Sequence, residues 1–154
     1  MRKIEKIVIH CSDSEFGNAS LIREWHTKER GWQDIGYHYV ITNGVLEYCR
    51  PYIAGQDGAI EEGRPIETTG AHVKGHNKTS IGICLIGKMH FTGKQLYDSL
   101  PSLLCLLIPR YKLTIDDVYG HTELDSKKTC PNFGVGDIRT LLKGVKNVVP
   151  GESI

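Results

Sequence analysis

The chain lacks a charge bias, a long apolar run and a cysteine framework, and each lack excludes a class of function. Its 154 residues hold 19 Lys and Arg against 18 Asp and Glu, a net charge of +1. Proteins that bind nucleic acid by neutralising phosphates gather Lys and Arg on one face or in one run, and no such run occurs here. No apolar stretch approaches the roughly 20 residues that cross a bilayer, so membrane insertion is not expected. Met1 to His10 has charges but only a very short apolar core. It reads as a strand rather than a signal peptide, which points to synthesis in the cytoplasm. Five cysteines are an odd number without framework spacing, as expected of reduced thiols rather than of a disulfide-stapled fold. Cys84 and Cys105 sit in apolar runs and are expected to be buried and inert. There is no internal repeat or low-complexity segment. The length fits a single domain over residues 1–154, with its core at about residues 5–146.

What is present is an alternation of strand and helix signals. Lys6 to Cys11 carries the β-branched run Ile7, Val8, Ile9, which fits a central strand buried on both faces. Ser20 to Arg30 reads as an amphipathic helix, with Ser20 as cap, Leu21, Ile22 and Trp25 on its stripe, and Gly31 at its end. Trp25 and Trp32 are expected in the core, with a sugar-binding cleft as the alternative. Gly36 to Ile41 is a strand, Asn43-Gly44 the favoured two-residue turn, and Val45 to Arg50 the antiparallel return. A loop over 51–57 leads to a short strand from Asp57 to Glu61. Thr69 to Lys78 is rich in Gly and His and suits a cleft-lining loop. The helical metal-site spacing of His72 and His76 is discounted, because Gly70 and Gly75 disfavour a helix. Ser80 to Ile86 is the strongest strand, and Gly82 would allow a close backbone approach. Thr92 to Gln95 is a capping box opening a Leu-rich helix that Pro101 should kink or break and Pro109 should end. Ile115 to Tyr119 is a short buried strand. Asp137 caps a last helix with Ile138, Leu141, Leu142 and Val145 facing inward. Strands interleaved with helices predict an α/β single domain with a mixed central β-sheet flanked by helices.

The chemistry-bearing stretch runs from Gly120 to Phe133, a polar segment without apolar periodicity that reads as a loop. It holds two metal-ligand types, His121 and Cys130, too far apart for one helical face or a zinc-finger knuckle. Lys128 stands just before the cysteine. A zinc site with an open position has three protein ligands. His10, at a strand end where sheet enzymes collect functional groups, offers the third; its competing reading is a core histidine satisfied by the backbone. Two imidazoles and a thiolate around one zinc ion would lower the pKa of bound water to about 7 and polarise an amide carbonyl. Lys128 could reach the developing oxyanion, and Tyr37 or His38 could supply a second donor. Alternation sends those two to opposite faces and does not choose between them. Cys11, next to His10 on the strand, should point away and leave the fourth position open. A closed structural zinc site and a Cys130–His121 nucleophile are the rival readings.

The same residues fall into longer motifs. They are Ile7-Val-Ile-His-Cys-Ser12, Glu24-Trp-His-Thr-Lys-Glu-Arg-Gly-Trp32, Asp34-Ile-Gly-Tyr-His-Tyr39, Asp57-Gly58 with Glu62-Gly-Arg-Pro65, Gly70-Ala-His-Val-Lys-Gly-His-Asn77, Ser80-Ile-Gly-Ile-Cys-Leu-Ile-Gly87, and Gly120-His121 through Lys128-Thr-Cys-Pro131. In this order, over roughly residues 5–142, the sequence resembles the zinc-dependent N-acetylmuramoyl-L-alanine amidases of phage and prophage type, relatives of the peptidoglycan recognition proteins. The resemblance implies a zinc-containing groove on one face of the sheet, with His10, His121 and Cys130 as ligands of one Zn2+. It implies Tyr37 and Lys128 as the catalytic pair, and His72 and Asn77 as groove-lining, substrate-binding positions. The implied reaction is hydrolysis of the amide between N-acetylmuramic acid and L-alanine in bacterial peptidoglycan. The implied protein is an endolysin-like monomer that acts on the cell wall after release. A non-catalytic peptidoglycan-binding module is the alternative; members that lose the cysteine ligand would behave so, and here Cys130 is present. The chain departs from the compact phage enzymes between Ile41 and Asp57, where the extra piece from Asn43 to Gln56 is expected to form a flap beside the groove.

Overall fold

The strongest strand signals sit at the centre of the sheet. In a computed structural model, which describes residues 1–146, five strands form one sheet. They are β1 (Lys6–Cys11), β2 (Tyr39–Asn43), β3 (Asp57–Glu62), β4 (Ser80–Leu85) and β5 (Val118–Gly120), in the order β3-β2-β4-β1-β5. β1 runs parallel to β4 and β5, and β2 runs parallel to β4. β3 alone is antiparallel, against β2, so the sheet is mixed as expected. Four helices accompany it: α1 (Ala19–Glu24), α2 (Leu100–Arg110), α3 (His121–Leu124) and α4 (Val135–Lys146). Among the described residues no helix is long and apolar enough to cross a membrane.

Ile7, Val8 and Ile9 are fully buried because both faces of the sheet are covered. On one face Ile7, Ile9, Ile81, Ile83 and Leu85 pack against the leucines of α2 and against Ile138 and Leu142 of α4. On the other, Val40 and Cys84 pack against Ala19 and Ile22 of α1. The two-residue period of a strand puts Val8 and His10 on this second face. The pairings Val8 with Gly82 and His10 with Cys84 set those β4 residues beside them. His10 therefore emerges on the α1 side, at the carboxyl end of parallel strands, where α/β sheets leave a crevice.

Where local structure departs from the sequence expectation, a specific contact decides. The cap of α1 is Asn18, whose Oδ1 accepts from Leu21 N–H at 2.8 Å, so Ser20 lies inside the helix. The helix continues in wider π-type turns over Trp25–Glu29 and ends before Gly31, which has φ 68°. Asn43-Gly44 does not make the two-residue hairpin. A type I′ turn needs positive φ at both central residues, and Gly44 has it (φ 86°) while Asn43 stays in β2. Asn43 Nδ2 donates to Glu15 O at 2.9 Å and its Oδ1 accepts from Val45 N–H at 3.0 Å. Val45 to Arg50 is irregular, and β2 takes β3 as its antiparallel partner instead. The intervening segment folds back on itself, with the Tyr52 ring in the space a Gly44 side chain would need.

Ile115–Asp117 forms a 3₁₀ turn under a Thr114/Asp117 capping box, so the strand expected from Ile115 shortens to β5. The stretch after β5 is not all loop: α3 begins at His121, with Gly120 N–H donating to Glu123 Oε2 at 2.9 Å. Thr92 and Gln95 cap one another as expected, Gln95 N–H donating to Thr92 Oγ1 at 3.1 Å and Thr92 N–H to Gln95 Oε1 at 2.9 Å. The helical run they open is wide over Lys94–Ser99 and becomes regular at Leu100, with Pro101 at the start of α2. A proline there forfeits little, since the first helical N–H groups lack intrahelical partners. Pro109 lies inside α2, which ends at Arg110. Cys84 is buried, but Cys105 is exposed; it lies off the inward stripe of Leu100, Leu104 and Leu107, next to exposed Leu106. Asp137 sits within the first turn of α4, Leu141 is half-buried, and the side chain of Val145 lies outside the described residues.

Candidate metal centre

β1 and β5 are neighbours, with Ile9 opposite Gly120, so His10 and His121 meet just beyond that pairing with ring centroids 4.7 Å apart. The chain then loops back over them. Thr122 N–H donates to Cys130 O at 2.8 Å, and Cys11 N–H donates to Cys130 Sγ at 3.1 Å. One potential ligand atom from each of His10, His121 and Cys130 lies within 4.8 Å of the others, and among the described residues this is the group that could hold a metal ion. His10 Nδ1 stands 3.8 Å from Cys130 Sγ. Two ligands bonded tetrahedrally to one zinc at about 2.0 and 2.3 Å stand roughly 3.5 Å apart, so the spacing fits a single ion. Cys11 is not part of the group.

The three residues lie in a groove of about 370 Å³ that Tyr37, Trp32, His72, Arg30, Lys127 and Lys128 help to line. The Tyr37 ring centroid is 5.1 Å from that of His10. His38 goes elsewhere: its Nδ1 accepts from Gly82 N–H at 3.0 Å, and its Nε2 faces Thr68 O at 3.0 Å. Those bonds hold His38 away from the groove, so of the two it is Tyr37 that lines it. Lys128 is exposed at the rim. His72 borders the groove, yet both its ring nitrogens have protein partners, His10 Nε2 at 2.9 Å and Ser80 Oγ at 3.3 Å. Asn77, expected at the groove wall, is not among the lining residues. Its Oδ1 accepts from the N–H groups of His72 and Val73, both at 2.8 Å, and so holds their loop. The segment from Asn43 to Gln56 supplies no groove-lining residue either. Its Tyr48 packs at a tilt against Phe16, which in turn packs against Trp25. Trp25 thus packs as expected, whereas Trp32 borders the groove beside His26 and under the Arg30 guanidinium.

A family model described as N-acetylmuramoyl-L-alanine amidase matches residues 1–133. The chain belongs to the N-acetylmuramoyl-L-alanine amidase family. The endolysin of Escherichia phage T7 is 36% identical to this amidase over 140 residues, covering 84% of this chain and 81% of that protein. The endolysin of Klebsiella phage KP32 is 34% identical over 143 residues, covering 86% and 83%. The solved structure of N-acetylmuramoyl-L-alanine amidase LysC from Clostridium intestinale matches with a TM-score of 0.74 at 29% identity, covering 92% of this chain and 87% of that one. This is an enzyme, an amidase of phage type.

Burial sets the protonation of the amidase groove. His10 is held well below the ordinary imidazole range by burial, then by His72 and His121. His121 is lowered by burial and by Lys128. Both rings are therefore neutral at pH 7, the form that can ligate a metal. Burial, and then the thiols of Cys84 and Cys130, raise the Tyr37 phenol well above its usual range, so it keeps its proton and is available as a donor. The Cys130 thiol is pushed up by the neighbouring Cys11 thiol and by burial, while the Cys11 N–H works against them. Sequence reasoning did not single out Arg30 or Lys127. The signal for Arg30 was present in Arg30-Gly31-Trp32, where the left-handed glycine turns the chain so that both flanking side chains border the groove.

His26 and His38 carry a prediction about stability. Burial lowers each to about 4, and each uses Nδ1 to accept a backbone N–H, from Gly36 and Gly82. In an unfolded chain a histidine titrates near 6.5. Between pH 6.5 and 4 the unfolded state therefore binds protons that the folded state refuses, and stability falls as the pH drops through that window. The slope is up to about 1.4 kcal/mol per pH unit for each histidine. Urea midpoints of the metal-free protein should be clearly lower at pH 5 than at pH 7; equal midpoints would contradict the expectation.

Proposed function

We propose that this amidase uses one zinc ion, held by His10, His121 and Cys130, to hydrolyse the amide between the lactyl group of N-acetylmuramic acid and L-alanine in bacterial peptidoglycan. The observation that carries the reading is the convergence of two imidazoles and a thiol in a groove at the carboxyl ends of β1 and β5. A set of three N and S ligands is the donor set of a catalytic zinc site that keeps a position for substrate or water. When bound, the ion supplies a Lewis acid for the scissile carbonyl and an activated water at neutral pH.

The remaining work falls to the chain. Tyr37, protonated and at the groove wall, donates a hydrogen bond to the carbonyl oxygen as negative charge builds on it. Lys128, at the rim on the loop that carries Cys130, presents its ammonium to the same oxygen. Two preorganised donors in a partly desolvated groove stabilise the transition state more than the ground state. Arg30 and Lys127 add positive charge along the groove, complementary to the carboxylates of a peptidoglycan stem peptide. The amidase is proposed to act on the cell wall as a monomer folded as one domain.

The test is digestion of purified peptidoglycan by zinc-loaded protein, with mass spectrometry of the soluble products. Stem peptides with a free L-alanine amino terminus, abolished by a chelator and restored by zinc, are expected. Binding without product would instead establish a non-catalytic module. Activity that survives complete zinc removal would point to a Cys130 nucleophile.

A further inference from the structure

His10 presents Nδ1 to Cys130 and turns Nε2 the other way, 2.9 Å from His72 Nδ1. A neutral imidazole has one N–H and one lone pair, and the partner of one nitrogen decides what the other can do. His72 Nε2 lies 3.3 Å from Ser80 Oγ. The Ser80 hydroxyl lies 2.8 Å from the backbone carbonyl of His76, which can only accept. Serine has a single proton. Once it is given to that carbonyl, Ser80 Oγ accepts from His72 Nε2–H, His72 Nδ1 becomes the lone-pair side, and it accepts from His10 Nε2–H. His10 Nδ1 is then left bare, facing Cys130. Turning the hydroxyl toward His72 reverses every donor and puts a proton on His10 Nδ1, where a metal would have to bind.

We infer that the His76 carbonyl, Ser80 and His72 form a relay that holds His10 in its Nε2–H tautomer, and that His72 and Ser80 are positioning residues of the metal site rather than substrate contacts. The inference rests on the reading of His10, His121 and Cys130 as metal ligands. The fold is built around this chain of bonds. His10, His72 and Ser80 are 1%, 8% and 0% exposed, so water does not compete for their nitrogens and hydroxyl. A Cβ at Gly82 would lie 2.6 Å from His72 Cγ, and one at Gly70 would lie 2.6 Å from His72 Cδ2. The two glycines leave the slot the ring occupies; the close approach that Gly82 permits is made by an imidazole. Asn77 fixes the backbone of the same residue through its His72 N–H bond. Partners that orient a ligating histidine typically contribute 10–100-fold to metal affinity.

The relay is tested in two independent ways. In ¹⁵N-labelled, metal-free wild-type protein, long-range ¹H–¹⁵N correlation should show the proton of His10 on Nε2 and none on Nδ1. Zinc affinity, measured by competition with a chelating dye, should fall about 10–100-fold in His72→Leu, with His10 passing to a mixture of tautomers. His72→Asn places a carboxamide oxygen where Nδ1 stood; it should keep the His10 tautomer and most of the affinity, although any contact of the imidazole with substrate is gone. Ser80→Ala should loosen the tautomer preference. A proton on His10 Nδ1 in the wild type would overturn the relay, whether or not the variants fold. So would His72→Leu binding zinc like the wild type, or His72→Asn failing as badly as His72→Leu. Wild-type protein that takes up no zinc, yet shows the Nε2–H tautomer, would locate the failure in the metal reading rather than in the hydrogen-bond order.

Discussion

Cys130→Ser is expected to lose zinc and amide hydrolysis together while the protein stays folded. Cys130 Sγ accepts the Cys11 N–H at 3.1 Å, and a serine hydroxyl can accept the same bond, so the loop that returns over His121 keeps its anchor. The residue is only partly buried, and its carbonyl still takes Thr122 N–H. What goes is the one sulfur of the proposed ligand set, and with it the soft donor that would complement two imidazoles. The loss in zinc affinity should exceed the roughly 10–100-fold that outer partners of a ligand contribute, and hydrolysis should fall to background. Metal analysis, product release from peptidoglycan and a chemical-denaturation midpoint on one preparation decide it. An active, zinc-loaded Cys130→Ser protein would remove the cysteine from the site. An inactive variant that still sediments with peptidoglycan would separate catalysis from binding.

Tyr37→Phe and Lys128→Ala should do the opposite, sparing the metal and striking the turnover. Neither belongs to the ligand group, so zinc content should survive both changes. Phenylalanine fills the place of the Tyr37 ring beside His10 and His26. Lys128 is exposed, so its truncation opens no cavity. Removing one preorganised donor to a developing oxyanion typically costs about 10²–10³ in kcat, roughly 3–4 kcal/mol. KM should move much less, because the interaction strengthens mainly in the transition state. The competing picture makes Lys128 a solvated loop charge and Tyr37 a packed aromatic; then Lys128→Ala would be silent and Tyr37→Phe would change stability alone. Wild-type kcat in either folded, zinc-loaded variant would exclude that residue from the mechanism.

The strands, the ligand types and the order of motifs were legible in the chain itself because they rest on local chemistry. A β-branched run such as Ile7-Val8-Ile9 favours an extended strand wherever it is buried, and alternation within it assigns His10 to one face before any partner is known. Thr92 and Gln95 cap each other within one turn, so their pairing needed nothing distant. Other features depended on contacts between residues far apart in sequence. The Asn43-Gly44 turn failed because the Asn43 amide found the Glu15 carbonyl, 28 residues away. Cys105 was read as buried from apolar neighbours, but a helix against a sheet hides only one stripe, and that residue falls outside it. Tyr37 and His38 were separated only when Gly82 N–H, on another strand, claimed His38. Sequence alone thus determined which residue types could ligate a metal and, for His10 on its strand, the alternation that puts it on one face. Tertiary structure alone decided which nitrogen of His10 faces Cys130, because the partner that orients it, His72, lies 62 residues further along the chain. Hydrogen-bond direction belongs to a pair of groups, and only the fold brings that pair together.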